Sequence, residues 1–148
     1  MKWIDLPPVW LIAAMAVMWV LAEIVPFPDM DILRGQTLGR ALIAVAIAIM
    51  IWAAITMRRH RTTIVPHLQP SALVTDGPFR FSRNPIYAAD VLILIGWAVS
   101  LGALVPLIII PVFVKVIEIR FILPEEARLT AGFGDTFVEW CKVTGRWF

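Results

Sequence analysis

From Pro85 to Leu123 the chain is almost wholly apolar, and this run constrains the fold more than any other feature. As one straight helix it would be ~58 Å long, at about 1.5 Å per residue. The hydrocarbon core of a bilayer is only about 30 Å thick. The run therefore reads as a helical hairpin. Residues 100–106, SLGALVP, offer Gly102 and Pro106 for the turn. The hairpin predicts transmembrane helices over 85–101 and 104–122.

Two more apolar runs precede it. LPPVWLIAAMAVMWVLAEIV covers 6–25 and LGRALIAVAIAIMIWAAITM covers 38–57. Each matches the about 20 residues that a spanning helix needs. Pro7 and Pro8 suit a helix start, and PFPDMD at 26–31 cannot continue one. The first run exceeds the about 7–15 apolar residues of a secretory signal, so it reads as a retained helix. Composition agrees: 60% of the 148 residues are hydrophobic and 16% charged. Soluble domains hold about 45–50% and about 25% respectively. The predicted fold class is an all-α integral membrane protein, one domain over 1–148, with about four transmembrane helices and a C-terminal interfacial amphipathic helix.

A net charge of +2 gives no case for nucleic acid. Cys141 is the single cysteine, which excludes an internal disulfide. His60 and His67 lack partners at ligand spacing, so no metal site is expected.

Residues 58–84 form the longest polar segment, and it carries Arg58, Arg59, Arg61, Arg80 and Arg83. The 26–37 connection has only Arg34. Basic loops stay on the cytoplasmic side, so 58–84 and both termini are expected there. Structureless loops beyond about 12–15 residues are usually functional or disordered. The SALV stretch, Phe79 and Phe81 favour an ordered, functional loop.

The tail, 124–148, reads as a new helix. Pro124 suits a first position, and Glu125 and Glu126 complement the positive end of a helix dipole. Leu129, Phe133, Phe137 and Trp140 recur at steps of four and three, an interfacial pattern broken by Gly132 and Gly134.

Three polar groupings thus fall on one side of the membrane: TDGPFRFSRNPIY at 75–87, Glu125–Glu126, and FGDTFVEW at 133–140. The open ends of one hairpin are neighbours, so Arg83 can meet the glutamates. Taken singly, each grouping has an ordinary structural reading. Their joint order is more specific. LVTDGPFRFSRNPIY, an apolar hairpin, then EEARL, FGDTFVEW and V-x-x-RW resembles the isoprenylcysteine carboxyl methyltransferase and phospholipid N-methyltransferase superfamily. The resemblance covers roughly residues 61–148.

It implies a membrane methyltransferase that uses S-adenosylmethionine, taken from the cytoplasm, on a lipophilic acceptor. By that resemblance Arg83, Asn84, Pro85 and Tyr87 form one wall of the cofactor pocket. Leu73, Val74 and Gly77 contact the adenosine moiety, and Glu125 and Glu126 match the family's glutamate pair. Arg83 and Glu126 are the residues expected at the chemistry, with the others binding cofactor. Asn84 agrees with the phospholipid-type branch, which lacks the histidine of the carboxyl methyltransferases. Phe137 and Trp140 stand where tyrosines are usual, Ala89 where glycine is frequent, and Asp90 is an unusual charge.

The chemistry of these side chains is consistent with that. Arginine clamps a carboxylate with two parallel hydrogen bonds. Glutamates can accept from ribose hydroxyls or pair with an ammonium. Aligning an in-line displacement at about 3–3.5 Å can supply about 7–11 kcal/mol of the barrier. A carboxylate acceptor needs no base, whereas an amine must be neutral, and a glutamate could then take its proton. Prenylcysteine-like carboxylates and phospholipid-like amines both stay open as acceptors. A soluble Rossmann methyltransferase is excluded, since the only G-x-G, Gly132-Phe133-Gly134, follows no strand. Two other readings stand beside the enzyme: a non-enzymatic membrane partner keeping the scaffold, and an NADPH-dependent membrane reductase relative. Among other polar residues, Lys115 and Glu118 lie three apart and can pair on the fourth helix.

Overall fold

The computed structural model describes residues 5–25, 32–62 and 71–147, with backbone alone at 32–34. The expected stop at 26–31, and Pro66, His67 and Pro70 of the long loop, lie outside the described residues. Among the described residues there is no strand. The helices are α1 (Pro7–Ile24), α2 (Ile32–Arg59), α3 (Pro85–Ser100), α4 (Ile109–Ile117), α5 (Leu123–Phe133) and α6 (Asp135–Val143). Short 3-10 turns occupy Gly77–Arg80 and Val105–Ile108, and a π-helical segment occupies Glu118–Ile122.

Two helices are long and apolar enough to cross a membrane, Pro7–Ile24 and Gly35–Arg59. Pro85–Ser100 is apolar but shorter. α1 shows why composition governs here. Only Pro7, Ala14 and Met18 of that helix are buried, while Ile12 is 67% and Trp19 52% exposed. Such an apolar, outward-facing surface is stable in lipid and costly in water.

The chain divides into two compact units. The first comprises residues 1–47 and 90–116. Within it the Trp97 indole N–H donates to the Met15 carbonyl at 3.1 Å, fixing α3 to α1. α2 and α3 cross with their backbones in contact. A Cβ on Gly39 would sit 2.4 Å from the Gly96 carbonyl oxygen, and one on Gly96 would sit 2.7 Å from that of Gly39. Small residues allow this approach where apolar lipid gives helices little other reason to associate. α3 ends at Ser100 and helical structure resumes at Val105, with Gly102 at φ +66 in between. The break expected at 100–106 is therefore present.

The second unit comprises residues 48–89 and 117–148. Its core is Ala53, Val74, Phe79, Phe137 and Trp140, with Leu73, Met57, Ile86, Leu129, Phe133 and Cys141 packed against it. Two helix bounds depart from the sequence expectation. α2 begins at Ile32, ahead of the expected start at 38. More consequentially, Pro124 does not open a new helix: helical backbone continues from α4 through the π segment into α5. Proline lacks an N–H and its ring clashes with the carbonyl four residues back. The π segment resolves this, since the Leu123 N–H reaches back to Glu118 and the widened turn lies immediately before the proline. The break in the tail comes instead at Gly134, where φ +52 and ψ −128 separate α5 from α6. Gly132 stays inside α5.

Candidate functional site

All of the polar groups described next belong to the second unit. The stretch 77–84 is held by short local bonds. Gly77 takes φ +57, and a Cβ there would lie 2.8 Å from Thr56 Oγ1, so only glycine fits. The Phe79 N–H then donates to the Asp76 carbonyl at 3.1 Å. Ser82 Oγ accepts from the Asn84 N–H at 3.0 Å. Pro85 opens α3, and the Asn84 carbonyl receives the Ala88 N–H at 2.9 Å. Asn84 is thus the residue that caps α3, leaving its side chain for another partner.

That partner is the C-terminal segment. Asn84 Nδ2 donates to the Arg146 carbonyl at 3.0 Å, and the Ser82 hydroxyl donates to the same oxygen at 3.4 Å. The Arg83 N–H donates to the Gly145 carbonyl at 2.9 Å. These bonds lay residues 145 and 146 along the entrance to α3.

The side chains there form a charge cluster. Arg83 Nη1 lies 3.0 Å from Glu126 Oε1. Arg146 binds the same carboxylate with two nitrogens, Nε to Oε1 at 3.0 Å and Nη2 to Oε2 at 2.7 Å. Its third nitrogen, Nη1, donates to Glu118 Oε1 at 2.7 Å. Arg83 Nη1 also donates to Cys141 Sγ at 2.8 Å. Arg83 and Glu126 side chains are only 14% and 16% exposed, Glu118 18% and Arg146 32%. The hydrogen bond to Glu126, followed by the charges of both carboxylates, holds the Arg146 guanidinium above its ordinary pKa, against the opposing effect of burial. These guanidinium–carboxylate pairs lie in a largely dry setting, where such pairs are strongly interdependent.

The π segment explains how two glutamates eight positions apart serve one arginine. In a regular α-helix they would diverge by ~80°, at 3.6 residues per turn. One widened turn absorbs a residue without advancing the face, which reduces the divergence to ~20°. Glu118 and Glu126 therefore share a face that Arg146 can span.

The expected meeting of Arg83 with the glutamate pair is present, through Glu126. Glu125 is half-buried beside it. The buried Tyr87 ring lies 6.5 Å from that of Phe121. Leu73 and Val74 belong to the apolar core with Phe79, and Gly77 lies against Thr56 and Trp52. Phe137 and Trp140 also build that core, edge to face at 6.0 Å. Sequence reasoning missed Arg146. Its signal is the final R-W of the tail pattern, which carries no role in the motif order by itself. Glu118, singled out with Lys115 as a possible pair on the fourth helix, also accepts from Arg146. Among the described residues, no group of three or more histidine, cysteine, aspartate or glutamate side chains could hold a metal.

The residues also fit the amino-acid end of S-adenosylmethionine. Arg83 Nε and Trp140 Nε1 are buried donors with no partner among the described residues. A cluster of alternating guanidinium and carboxylate groups suits a zwitterion, since it offers both signs at hydrogen-bond distance from each other.

A family model described as phospholipid methyltransferase matches residues 35–136, well over half of the chain. The match bears out the superfamily resemblance seen in the motif order. It includes Arg83, Glu118 and Glu126 and stops short of Cys141 and Arg146. No curated protein matches the chain significantly.

Proposed function

The chain belongs to the phospholipid methyltransferase family, a family of membrane methyltransferases, and on that premise we propose that it transfers a methyl group from S-adenosylmethionine to a lipophilic acceptor within the membrane. The observation that carries this reading is the Arg83–Glu126–Arg146–Glu118 cluster at the entrance to α3.

In this reading Arg83 binds the cofactor carboxylate, using donors that include its Nε, which has no partner among the described residues. Glu126 accepts from the cofactor ammonium or ribose, with Glu125 beside it. Arg146 is a positioning residue: it holds Glu126 by two bonds and ties it to Glu118. Asn84 anchors the segment that carries Arg146. Tyr87 and Phe121 provide an apolar wall, and Leu73, Val74 and Gly77 shape the adenosine side. When bound, the cofactor supplies a methyl group already activated by its sulfonium. The protein's own contribution is then alignment and exclusion of water. With a carboxylate acceptor no base is needed. With an amine acceptor, this reading assigns the proton to Glu126.

The reading further places four spans in the membrane, with the 58–84 loop and both termini cytoplasmic. Cofactor then arrives from the cytoplasm and acceptor from the bilayer. The test is incorporation of labelled methyl from S-adenosylmethionine into a total lipid extract by the reconstituted protein. Label in lipid with wild type, reduced at least about a hundredfold in Glu126→Gln, is the expected result, in keeping with the weight of positioning and general-base terms. Equal labelling by both proteins would remove Glu126 from the site.

A further inference from the structure

The end of α2 carries a feature that the proposed reaction does not use. Arg58, Arg59, His60 and Arg61 are consecutive and exposed, the first two ending a helix long and apolar enough to cross a membrane and the others following it directly. The helix closes through paired bonds: the Thr62 N–H donates to the Met57 carbonyl at 3.1 Å, and the Arg61 N–H to the Arg58 carbonyl at 3.0 Å. This closure places one residue in the left-handed region, usually glycine. Here it is Arg61, at φ +54, the one non-glycine residue with positive φ among the described residues.

The cap is pinned in that form. Ser71 Oγ donates to the Arg61 carbonyl at 2.8 Å, and the Ser71 N–H donates to Thr62 Oγ1 at 3.2 Å. Arginine in this conformation is strained relative to glycine. Membrane orientation does not require that strain, because it counts basic residues anywhere within about 15–20 residues of a helix end. Glycine at 61 with arginine a few residues later would serve orientation equally well. Strain of this kind, kept in place by surrounding bonds, points to a use for the side chain.

Local charges define the use. His60 is engaged by Asp76 at 2.8 Å, which occupies the nearby carboxylate. Among the described residues, no ion pair takes up Arg58, Arg59 or Arg61. Three guanidiniums within one turn of the chain, at the end of an apolar helix, offer forked donors to phosphate oxygens. We infer that Arg58, Arg59 and Arg61 form a binding site for the headgroups of anionic phospholipids at the end of α2. This rests on α2 crossing the membrane, as in the reading above, but on none of the residues of the charge cluster.

The test is native mass spectrometry of the detergent-purified full chain, incubated with equal amounts of phosphatidylglycerol and phosphatidylcholine. Wild type is expected to retain phosphatidylglycerol over phosphatidylcholine by about tenfold or more. Arg61→Gly is expected to lower that preference about fivefold, the worth of one basic residue at an anionic surface. The same variant should melt at a higher temperature, because glycine fits the left-handed position. A double variant, Arg58→Gln with Arg59→Gln, should remove most of the remaining preference. The inference is overturned if wild type shows no preference, or if Arg61→Gly keeps it in full. S-adenosylhomocysteine titrated into Arg61→Gly should bind as it does to wild type, so the fate of the lipid site and that of the cofactor site are read separately.

Discussion

Glu126 is the residue on which the most depends. Both of its oxygens are taken by guanidiniums, and it is largely buried. Removing one partner of such a pair strands the other and costs about 3–5 kcal/mol when burial is deep. Glu126→Ala should therefore lower stability by about 3 kcal/mol, read as a fall in melting temperature in detergent. Arg146→Ala should cost less, about 1–2 kcal/mol, since Arg146 is 32% exposed and part of its charge is screened by water. The order of the two is the checkable point, and an Arg146→Ala loss larger than that of Glu126→Ala would contradict the geometry. Arg83 and Glu126 were legible in the sequence through the joint order of motifs that carries the family resemblance, and because the open ends of one hairpin are neighbours. Arg146 was not. A lone arginine near the end of a tail has an ordinary reading as an interfacial anchor, and its partner Glu118 lies on a different face in any regular helical register.

That register belongs to the scale of elements. The apolar runs and the break near Gly102 could be read from composition and turn chemistry alone. The continuity of helix through Pro124 could not, because proline at that point is equally suited to a first helical position, and no periodicity marks a π turn. The π segment Glu118–Ile122 accommodates the proline and, in doing so, aligns Glu118 with Glu126. Pro124→Ala removes the need for the wide turn. The variant should be at least as stable as wild type, since alanine is the better helix former. Yet it should bind S-adenosylhomocysteine about tenfold or more weakly, as relaxation to a regular helix parts the two glutamates. Stability and binding are expected to move in opposite directions, measured by thermal melting and titration on the same preparation. Undiminished binding in Pro124→Ala would mean that the shared face does not depend on the wide turn.

At the scale of the whole molecule, the family match and two long apolar helices support membrane association. The four-span reading makes a topological prediction. In a Cys141→Ser background, Ser71→Cys places a single thiol in the 58–84 loop, at an exposed position. A membrane-impermeant maleimide should label it in inside-out vesicles and leave it unlabelled in right-side-out ones. The reverse pattern would turn the site away from the cytoplasm and from its cofactor supply. The sequence carried the chain to its family through the spacing of motifs, but in the proposed reading the acceptor is recognised by a three-dimensional surface that no motif spells out. Cofactor binding, which that reading assigns to few residues, can by contrast be tested directly. The decisive measurement is calorimetric titration of S-adenosylhomocysteine into the detergent-purified protein, with Arg83→Ala alongside. Saturable binding by wild type, weakened at least about tenfold in the variant, is predicted from the loss of a charge-assisted clamp. Folded wild-type protein that shows no saturable binding would contradict the methyltransferase reading at its base.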